Sequence, residues 1–223
     1  MKAVLFDLDG ILTDTANYHY QAWKALGAEL GIEIDEAFNE QLKGVSRTDS
    51  LALILAKDGL EENFSNAEKE ALATKKNDVY KKMIEQMSAA DILPGIKTLL
   101  SDLKAKGILL GLASASQNGP NILEKLGLKD FFDTIVDPAK LAAGKPHPEI
   151  FETGAKQLNV SVQECIGIED AAAGVQSINS AGMAAVAVGD KTTLRAAAKV
   201  VASTNELTAD LLTAVWAESV EVY

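Results

Sequence analysis

Short, continuously apolar segments alternate with helix-like segments along most of this chain. Residues 3–6 read Ala-Val-Leu-Phe, and a run without polar positions is typical of a strand covered on both faces in a parallel sheet. Similar runs follow helical patterns from residue 90 onward, and such alternation predicts an α/β fold with a doubly wound parallel sheet. The predicted strands are residues 3–6, 108–113, 133–136, 165–169, 184–188 and 199–202.

A long block without strand-like runs interrupts this alternation after the first strand. Residues 16–30 repeat apolar side chains at every fourth position, which predicts a helix. Ser46 with Asp49, and Ser65 with Glu68, have the spacing of capping boxes that begin two further helices. The block therefore predicts a helical domain inserted into the α/β core. The predicted division is a core of residues 1–14 and 90–223 with a helical cap of residues 15–89.

Composition restricts the partners that such a fold can bind. The formal net charge of −11 at pH 7 argues against nucleic acid and anionic membranes. No apolar run approaches the roughly 20 residues of a membrane span, and no leader-like segment precedes the first strand. The single cysteine, Cys165, excludes an internal disulfide and is typical of a reducing compartment. We therefore expect a cytoplasmic monomer that acts on small molecules.

Two aspartates, Asp7 and Asp9, follow the first strand directly. Residues two apart in an extended segment point the same way, so both carboxylates should enter one space, where their charges repel. A divalent cation that prefers oxygen ligands, such as Mg²⁺, would relieve this repulsion. One carboxylate could then act as nucleophile or ligand and the other as general acid–base. Solvated aspartates at a strand end are the alternative, and Gly10, which allows close backbone approach, favours a site.

Polar residues also follow the second predicted strand, in the segment Ala-Ser-Ala-Ser-Gln-Asn-Gly-Pro. Ligands of doubly wound sheets bind beyond the carboxyl ends of the strands, so this segment should face the same space as the aspartates. Ser114 and Ser116 share a side, and Asn118 precedes a predicted helix. Hydroxyls and a helix N-terminus together can form an anion site. Ordinary helix capping is the alternative for these residues.

A lysine and a second acid pair complete the set of polar residues at the predicted strand ends. Lys145 lies in a loop stiffened by two prolines, whereas a lone lysine is ordinarily a solvated surface group. Glu169 and Asp170 close the strand Cys-Ile-Gly-Ile-Glu ahead of a helix. Asp170 alone would be read as a helix N-cap, but acids from two strands that meet at one edge of a sheet indicate a metal site.

Together these residues are the groups that phosphoryl transfer requires for positioning and charge neutralisation. The segments FDLDGILTDT, LASAS, Lys145-Pro146 and GIEDAAAG resemble the motifs of the haloacid dehalogenase superfamily, whose members form an aspartyl-phosphate intermediate. The motifs span nearly the whole chain. The block after the first motif is similar to the small cap domain of that superfamily.

The resemblance implies a role for each of these residues. Asp7 would be the nucleophile and Asp9 the general acid–base. Ser114 and Lys145 would hold the transferring phosphate. Mg²⁺ would be held by the Asp7 carboxylate, the Asp9 backbone carbonyl, Glu169 and Asp170.

The predicted cap resembles the cap of superfamily members that interconvert β-D-glucose 1-phosphate and glucose 6-phosphate through β-glucose 1,6-bisphosphate. Such an enzyme must keep water from the aspartyl-phosphate while it holds a bisphosphate, and a closing lid with its own anion-binding arginine suits both tasks. The residues implied for sugar and distal phosphate are Gly44, Val45, Arg47, Ala115, Ser116, Gln117 and Asn118. Those implied for the closing interface are Thr15, His19, Trp23, Ser50 and Lys76.

One residue of the chain departs from the pattern of these superfamily members. Two other functions also stay open. Gln117 stands where a lysine is expected, which would remove one charge from the distal phosphate site. A sugar-phosphate phosphatase is the alternative within the fold, and a phosphosugar-binding protein without catalysis is the alternative from another class. The aspartate pair and Lys145 favour an enzyme, because a binding protein has no use for a nucleophile.

Overall fold

A six-stranded parallel sheet forms the centre of residues 1–220, the part of the chain that the computed structural model describes. The strands are β1 (Ala3–Phe6), β2 (Leu109–Leu112), β3 (Thr134–Ile135), β4 (Cys165–Glu169), β5 (Ala184–Val188) and β6 (Lys199–Val201). Their order across the sheet is β3-β2-β1-β4-β5-β6. The predicted fold class is therefore confirmed. Residues 221–223, at the end of the predicted core domain, lie outside the described residues.

Strand β1 is buried on both faces of the sheet, as its apolar sequence predicts. Val4 and Phe6 belong to one hydrophobic cluster, while Ala3 and Leu5 belong to the cluster on the opposite side. All four residues are 0% exposed. Successive side chains of a strand point to opposite faces, so an uninterrupted apolar run is needed to fill both layers.

The carboxyl ends of β1, β2 and β4 lie side by side because β1 pairs in parallel with both neighbours. Phe6 is opposite Leu112 on one side and Ile168 on the other. Strands β2 and β3 lie on one side of β1, and β4, β5 and β6 lie on the other. Doubly wound sheets form their ligand crevice where the strand order reverses in this way. Residues that directly follow these three strands therefore meet at one place.

Helices cover both faces of the sheet and form the insertion. The helices are α1 (Ala16–Leu30), α2 (Glu36–Asn39), α3 (Arg47–Lys57), α4 (Asn66–Ile84), α5 (Ile96–Ala105), α6 (Gly119–Leu126), α7 (Glu149–Gln157), α8 (Ala172–Ser180) and α9 (Ala209–Val220). Along residues 1–220, none of these helices combines the length and apolar character needed to cross a bilayer.

Helices α1–α4 follow β1 and build a hydrophobic cluster of their own. Trp23, Leu51 and Ile54 belong to this cluster. Two chain segments connect the insertion to the sheet, and they pair with each other: Thr13 forms an antiparallel bridge with Ile92, and its hydroxyl donates to the Asp91 carbonyl at 2.7 Å. The domain division at residues 14–15 and 89–90 stays a prediction.

The predicted capping patterns differ in outcome. Ser65 and Glu68 form a reciprocal capping box at the start of α4. At α3 the Ser46 hydroxyl accepts a hydrogen bond from the Asp49 backbone N–H and donates one to the Asp49 carboxylate. The carboxylate therefore does not accept from the backbone N–H of Ser46, as a capping box requires. The prediction of a full box at Ser46 is therefore wrong.

Candidate active site

Asp7 lies in a buried cluster of charged side chains at the carboxyl ends of the strands. Its backbone N donates to the Ile168 carbonyl at 3.0 Å, which fixes it where β1 ends beside β4. Lys145 Nζ lies 2.6 Å from Asp7 Oδ1 and 2.5 Å from Glu169 Oε1. The side chains of Lys145 and Glu169 are 0% exposed and that of Asp7 is 6% exposed. Lys145 is therefore an internal counter-ion and not a solvated surface group.

Burial and charge set the protonation of this cluster. Burial raises the pKa of Asp7 to about 7; Lys145 opposes this rise, while Glu169 and Asp9 add to it. Burial alone would lower the pKa of Lys145, but Asp7 and Glu169 raise it above its ordinary value. Lys145 therefore stays cationic and can neutralise charge on a phosphoryl group.

Three carboxylates at this edge fit a divalent cation. One oxygen from each of Asp7, Glu169 and Asp170 lies within 4.8 Å of the others. Burial, followed by the charges of Glu169 and Asp7, raises the pKa of Asp170 well above its ordinary value. Three carboxylates face one lysine here, and a divalent cation would favour their ionised form; carboxylate oxygens are also the ligands that Mg²⁺ prefers. The residues present fit Mg²⁺, and the Asp9 carbonyl stays a predicted ligand.

Backbone contacts hold the second acid pair in place. Glu169 Oε2 accepts from the backbone N–H groups of Asp170 and Ala171, both at 2.9 Å. The N-cap of α8 is Ala171, without a side-chain cap bond, so the N-cap interpretation of Asp170 is wrong. Gly10, with φ +72°, lies against the Asp170 carboxylate: a Cβ at this position would be 2.1 Å from Asp170 Oδ2. Only glycine allows this approach.

Asp9 has partners that differ from those of Asp7. The Thr15 hydroxyl donates to Asp9 Oδ1, and His19 Nε2 lies 3.6 Å from Asp9 Oδ2. Burial raises the pKa of Asp9 to about 6, and the bond from Thr15 opposes the rise. A carboxyl group with a pKa near neutrality can both donate and accept a proton, as a general acid–base must.

The insertion contributes a cation and an imidazole above Asp9. Lys76 Nζ lies 2.7 Å from His19 Nδ1 and 4.5 Å from the centre of the Trp23 ring. Burial lowers the pKa of Lys76 to about 7, opposed by Asp9. Burial and the nearby Lys76 lower the pKa of His19 well below its ordinary value, so the imidazole is neutral. His19 Nε2 is buried and lacks a hydrogen-bond partner among residues 1–220, which leaves it open to a ligand.

Two hydrogen bonds join the insertion to the loop after β2. Arg47 Nη2 donates to Gln117 Oε1 at 3.0 Å, and Asn118 Nδ2 donates to Asn77 Oδ1 at 2.9 Å. The Asn118 side chain therefore reaches across to the insertion and does not cap α6, so the capping alternative is wrong for this residue. Arg47 Nε is buried and has no partner in the described part of the chain.

The sheet edge and the insertion enclose one cavity of about 960 Å³. Asp7 and Asp9 both line it, as the spacing of the two aspartates predicts. Thr15 and Glu169 do not line it; both are 0% exposed and contact Asp9 and Lys145 respectively. The other predicted site residues on its wall are His19, Trp23, Gly44, Val45, Arg47, Ser50, Lys76, Ser114, Ala115, Ser116, Gln117, Asn118, Lys145 and Asp170.

Sequence reasoning missed two residues of α4 that contact the predicted site. Asn77 accepts from Asn118, and the Tyr80 hydroxyl donates to Thr15 Oγ1 at 3.0 Å. The available signal was helical spacing, because Lys76 and Tyr80 are four residues apart and share a face. The spacing shows that they are neighbours, but not that their face turns toward Asp9.

A doubly wound core with a buried aspartate–lysine pair at its switch point, covered by a helical insertion, is the arrangement of a capped phosphotransfer protein. The chain belongs to the haloacid dehalogenase-like hydrolase family, whose profile matches residues 1–182.

Relatives that are named for an activity narrow the class of reaction. The chain is 49% identical to a β-phosphoglucomutase of Bacillus subtilis over 216 residues, which cover 97% of this chain and 96% of the relative. The crystal structure of a β-phosphoglucomutase from Clostridium difficile superposes with a TM-score of 0.97 at 48% identity and covers 99% of each chain. A phosphorylated carbohydrates phosphatase of Thermotoga maritima is 28% identical over 82% of each chain.

Proposed function

We propose that this chain is a β-phosphoglucomutase, an isomerase that interconverts β-D-glucose 1-phosphate and glucose 6-phosphate. The reaction would pass through an aspartyl-phosphate on Asp7 and through β-glucose 1,6-bisphosphate. The observation that carries the proposal is a single cavity with a cation at each end, Lys145 in the core and Arg47 in the cap. A phosphatase needs to bind one phosphate, whereas a mutase must hold two.

The core residues would perform the phosphoryl transfer. One oxygen of Asp7 attacks the phosphorus of the C1 phosphate of β-glucose 1,6-bisphosphate, and the bond from that phosphorus to the sugar oxygen breaks, which leaves glucose 6-phosphate. Asp9 donates a proton to that oxygen. In the second half-reaction Asp9 takes the proton from the C6 hydroxyl of β-D-glucose 1-phosphate, whose oxygen attacks the aspartyl-phosphate; this forms the bisphosphate and regenerates free Asp7.

The remaining core groups would bind the transferring phosphate. Lys145 is held in place by two carboxylates and neutralises charge without having to reorganise. Ser114 Oγ accepts from the Ser116 backbone N–H at 3.1 Å, which leaves the Ser114 hydroxyl proton for a phosphate oxygen. Mg²⁺, when bound by Asp7, Glu169 and Asp170, would neutralise further phosphate charge.

The cap would bind the distal phosphate and exclude water. Arg47 presents a planar group suited to phosphate, and its Nε lacks a partner in the described chain. We assign residues 15–89 to this cap and residues 1–14 and 90–223 to the core. We further propose that the protein is cytoplasmic, on the ground that its only cysteine, Cys165, is a buried free thiol. We also propose that it acts as a monomer.

The test is the product formed from β-D-glucose 1-phosphate. In the presence of Mg²⁺ and a trace of bisphosphate we expect glucose 6-phosphate, with the α anomer as the control substrate. Release of free phosphate would instead favour the phosphatase that the Thermotoga maritima relative suggests. Thermal stabilisation by substrate without either product would indicate a binding protein. Excess chelator should abolish the reaction, and full activity in chelator would contradict the metal site.

A further inference from the structure

Tyr80 is a buried phenol that none of the roles above uses. It lies on α4 of the insertion and is 0% exposed, yet it belongs to the hydrophobic cluster of the core. Its ring is 4.1 Å from the His19 ring, measured between centroids. Its hydroxyl donates to Thr15 Oγ1, and the Thr15 hydroxyl in turn donates to Asp9 Oδ1. A chain of hydroxyls thus runs from the cap to the general acid–base.

The direction of these hydrogen bonds has a consequence for Asp9. A hydroxyl carries one proton and can accept at its lone pairs. Because Tyr80 donates to Thr15, the Thr15 proton is free to point at Asp9. An oxygen that accepts this bond is poorly placed to carry the catalytic proton, so the proton is directed to Asp9 Oδ2. Oδ2 is the oxygen that faces His19, at 3.6 Å.

We propose that Tyr80 is a positioning residue for Asp9 and acts through Thr15. The proposal rests on the function proposed above, in which Asp9 transfers the proton to and from the sugar oxygen. Thr15 is 0% exposed and does not line the cavity, so its contact is with Asp9 and not with substrate. Tyr80 belongs to the cap helix and therefore orients Asp9 when that helix is seated on the core.

Burial keeps the phenol in the form that can donate. Burial is the first cause that raises the pKa of Tyr80 above its ordinary value, and the charge of Asp9 acts in the same direction. The hydrogen bond to Thr15 opposes this rise. Through that bond the phenol links the cap helix to the segment that connects the insertion to the core.

The test compares Tyr80→Phe with Tyr20→Phe. Both variants remove one phenol hydroxyl from the insertion, but Tyr20 donates to the Ile34 carbonyl at 3.4 Å, within the insertion's own packing. Two rates are measured: sugar-phosphate turnover and the phosphorylation of Asp7 by acetyl phosphate, followed by mass spectrometry. Acetate leaves phosphorus without needing a proton, whereas a sugar oxygen needs one from Asp9.

For Tyr80→Phe we expect a fall in sugar-phosphate kcat of roughly 3- to 10-fold, the loss expected for one neutral hydrogen bond. KM and phosphorylation by acetyl phosphate should be unchanged, and Tyr20→Phe should match wild type in both rates. The double variant Tyr80→Phe, Thr15→Val should lose no more sugar-phosphate kcat than Thr15→Val alone. Each change interrupts the same chain of hydrogen bonds to Asp9, so their effects should not add.

Three results would overturn the proposal: unchanged sugar turnover, an equal loss in both rates, or additive losses with Thr15→Val. An equal loss would mean that the hydroxyl supports only the fold. If wild type releases phosphate in place of forming glucose 6-phosphate, the proposed mutase function fails. The Tyr80 proposal is then decided by comparing two other rates: phosphate release from the sugar phosphate and phosphorylation of Asp7 by acetyl phosphate.

Discussion

The two ends of the cavity are built on different physical principles. At the sheet edge, Asp7, Lys145 and Glu169 are at most 6% exposed and form ion pairs of 2.5 to 2.6 Å. At the cap end, Arg47 and Gln117 meet through one exposed hydrogen bond between a cation and a neutral amide. Buried charge is costly to rearrange, whereas an exposed contact opens easily. The core end therefore suits fixed chemistry, and the cap end suits binding and release.

The largest expected effect is at the core end. Asp7→Asn should abolish covalent phosphorylation, because an amide cannot form the acyl-phosphate. Asp9→Asn is the matched control: it should retain phosphorylation by acetyl phosphate but lose sugar turnover by ~10²–10⁴-fold. Mass spectrometry after incubation with acetyl phosphate detects the adduct. A phosphate adduct on the Asp7→Asn protein would remove Asp7 as the nucleophile.

Lys145 should matter for stability as well as for activity. Lys145→Met leaves two buried carboxylates without their counter-ion, and breaking a buried pair in this way costs about 3–5 kcal/mol. Lys104→Met is the control, since Lys104 forms a 2.8 Å ion pair with Asp133 that is 37% and 29% exposed. That pair should contribute less than about 1 kcal/mol. Urea unfolding in chelator measures both free energies, and equal losses would contradict the contrast between the two ends.

Arg47 should affect the sugar reaction and spare the fold. In the proposed function Arg47 pairs with the distal phosphate of the bound substrate, and the cap excludes water from this pair. Truncating one partner of a desolvated charge pair costs about 2–5 kcal/mol, so Arg47→Ala should cut mutase flux by roughly 30- to 5,000-fold. Acetyl phosphate has no distal phosphate, so its reaction with Asp7 should fall far less. The ratio of the two rates cancels any loss of folded protein. Equal losses, or an unchanged mutase rate, would reopen the phosphatase interpretation.

The smallest expected effect is at Gln117, where two variants should act in opposite directions. Gln117→Lys loses the bond from Arg47, because an ammonium cannot accept, but adds a cation for the distal phosphate. Bisphosphate binding should tighten roughly 2- to 5-fold at low salt, the gain of one exposed ion pair, and the gain should vanish in high salt. Gln117→Glu still accepts from Arg47 but repels phosphate, so its binding should weaken. Tightening in both variants would contradict a charge effect.

Local patterns in the sequence determined the sheet and its polar edge. The apolar run of β1 predicts burial on both faces, since alternate side chains of a strand enter opposite layers. Acids and a serine directly after β1, β2 and β4 predict one polar edge, because parallel strands end together. The Ser65–Glu68 capping box is likewise complete within four residues. These features depend on spacing along the chain, which the sequence states directly.

Only the tertiary structure decided which side chains pair across the cavity. Lys145 contacts Asp7 over a separation of 138 residues, and Arg47 contacts Gln117 over 70. Residue type alone made Asn118 a reasonable helix cap, and the resemblance placed Thr15 at the closing interface, yet Asn118 bonds Asn77 and Thr15 bonds Asp9. A polar side chain has several partners of similar energy, and the choice depends on which distant segment the packing of the core and the insertion brings within hydrogen-bond distance.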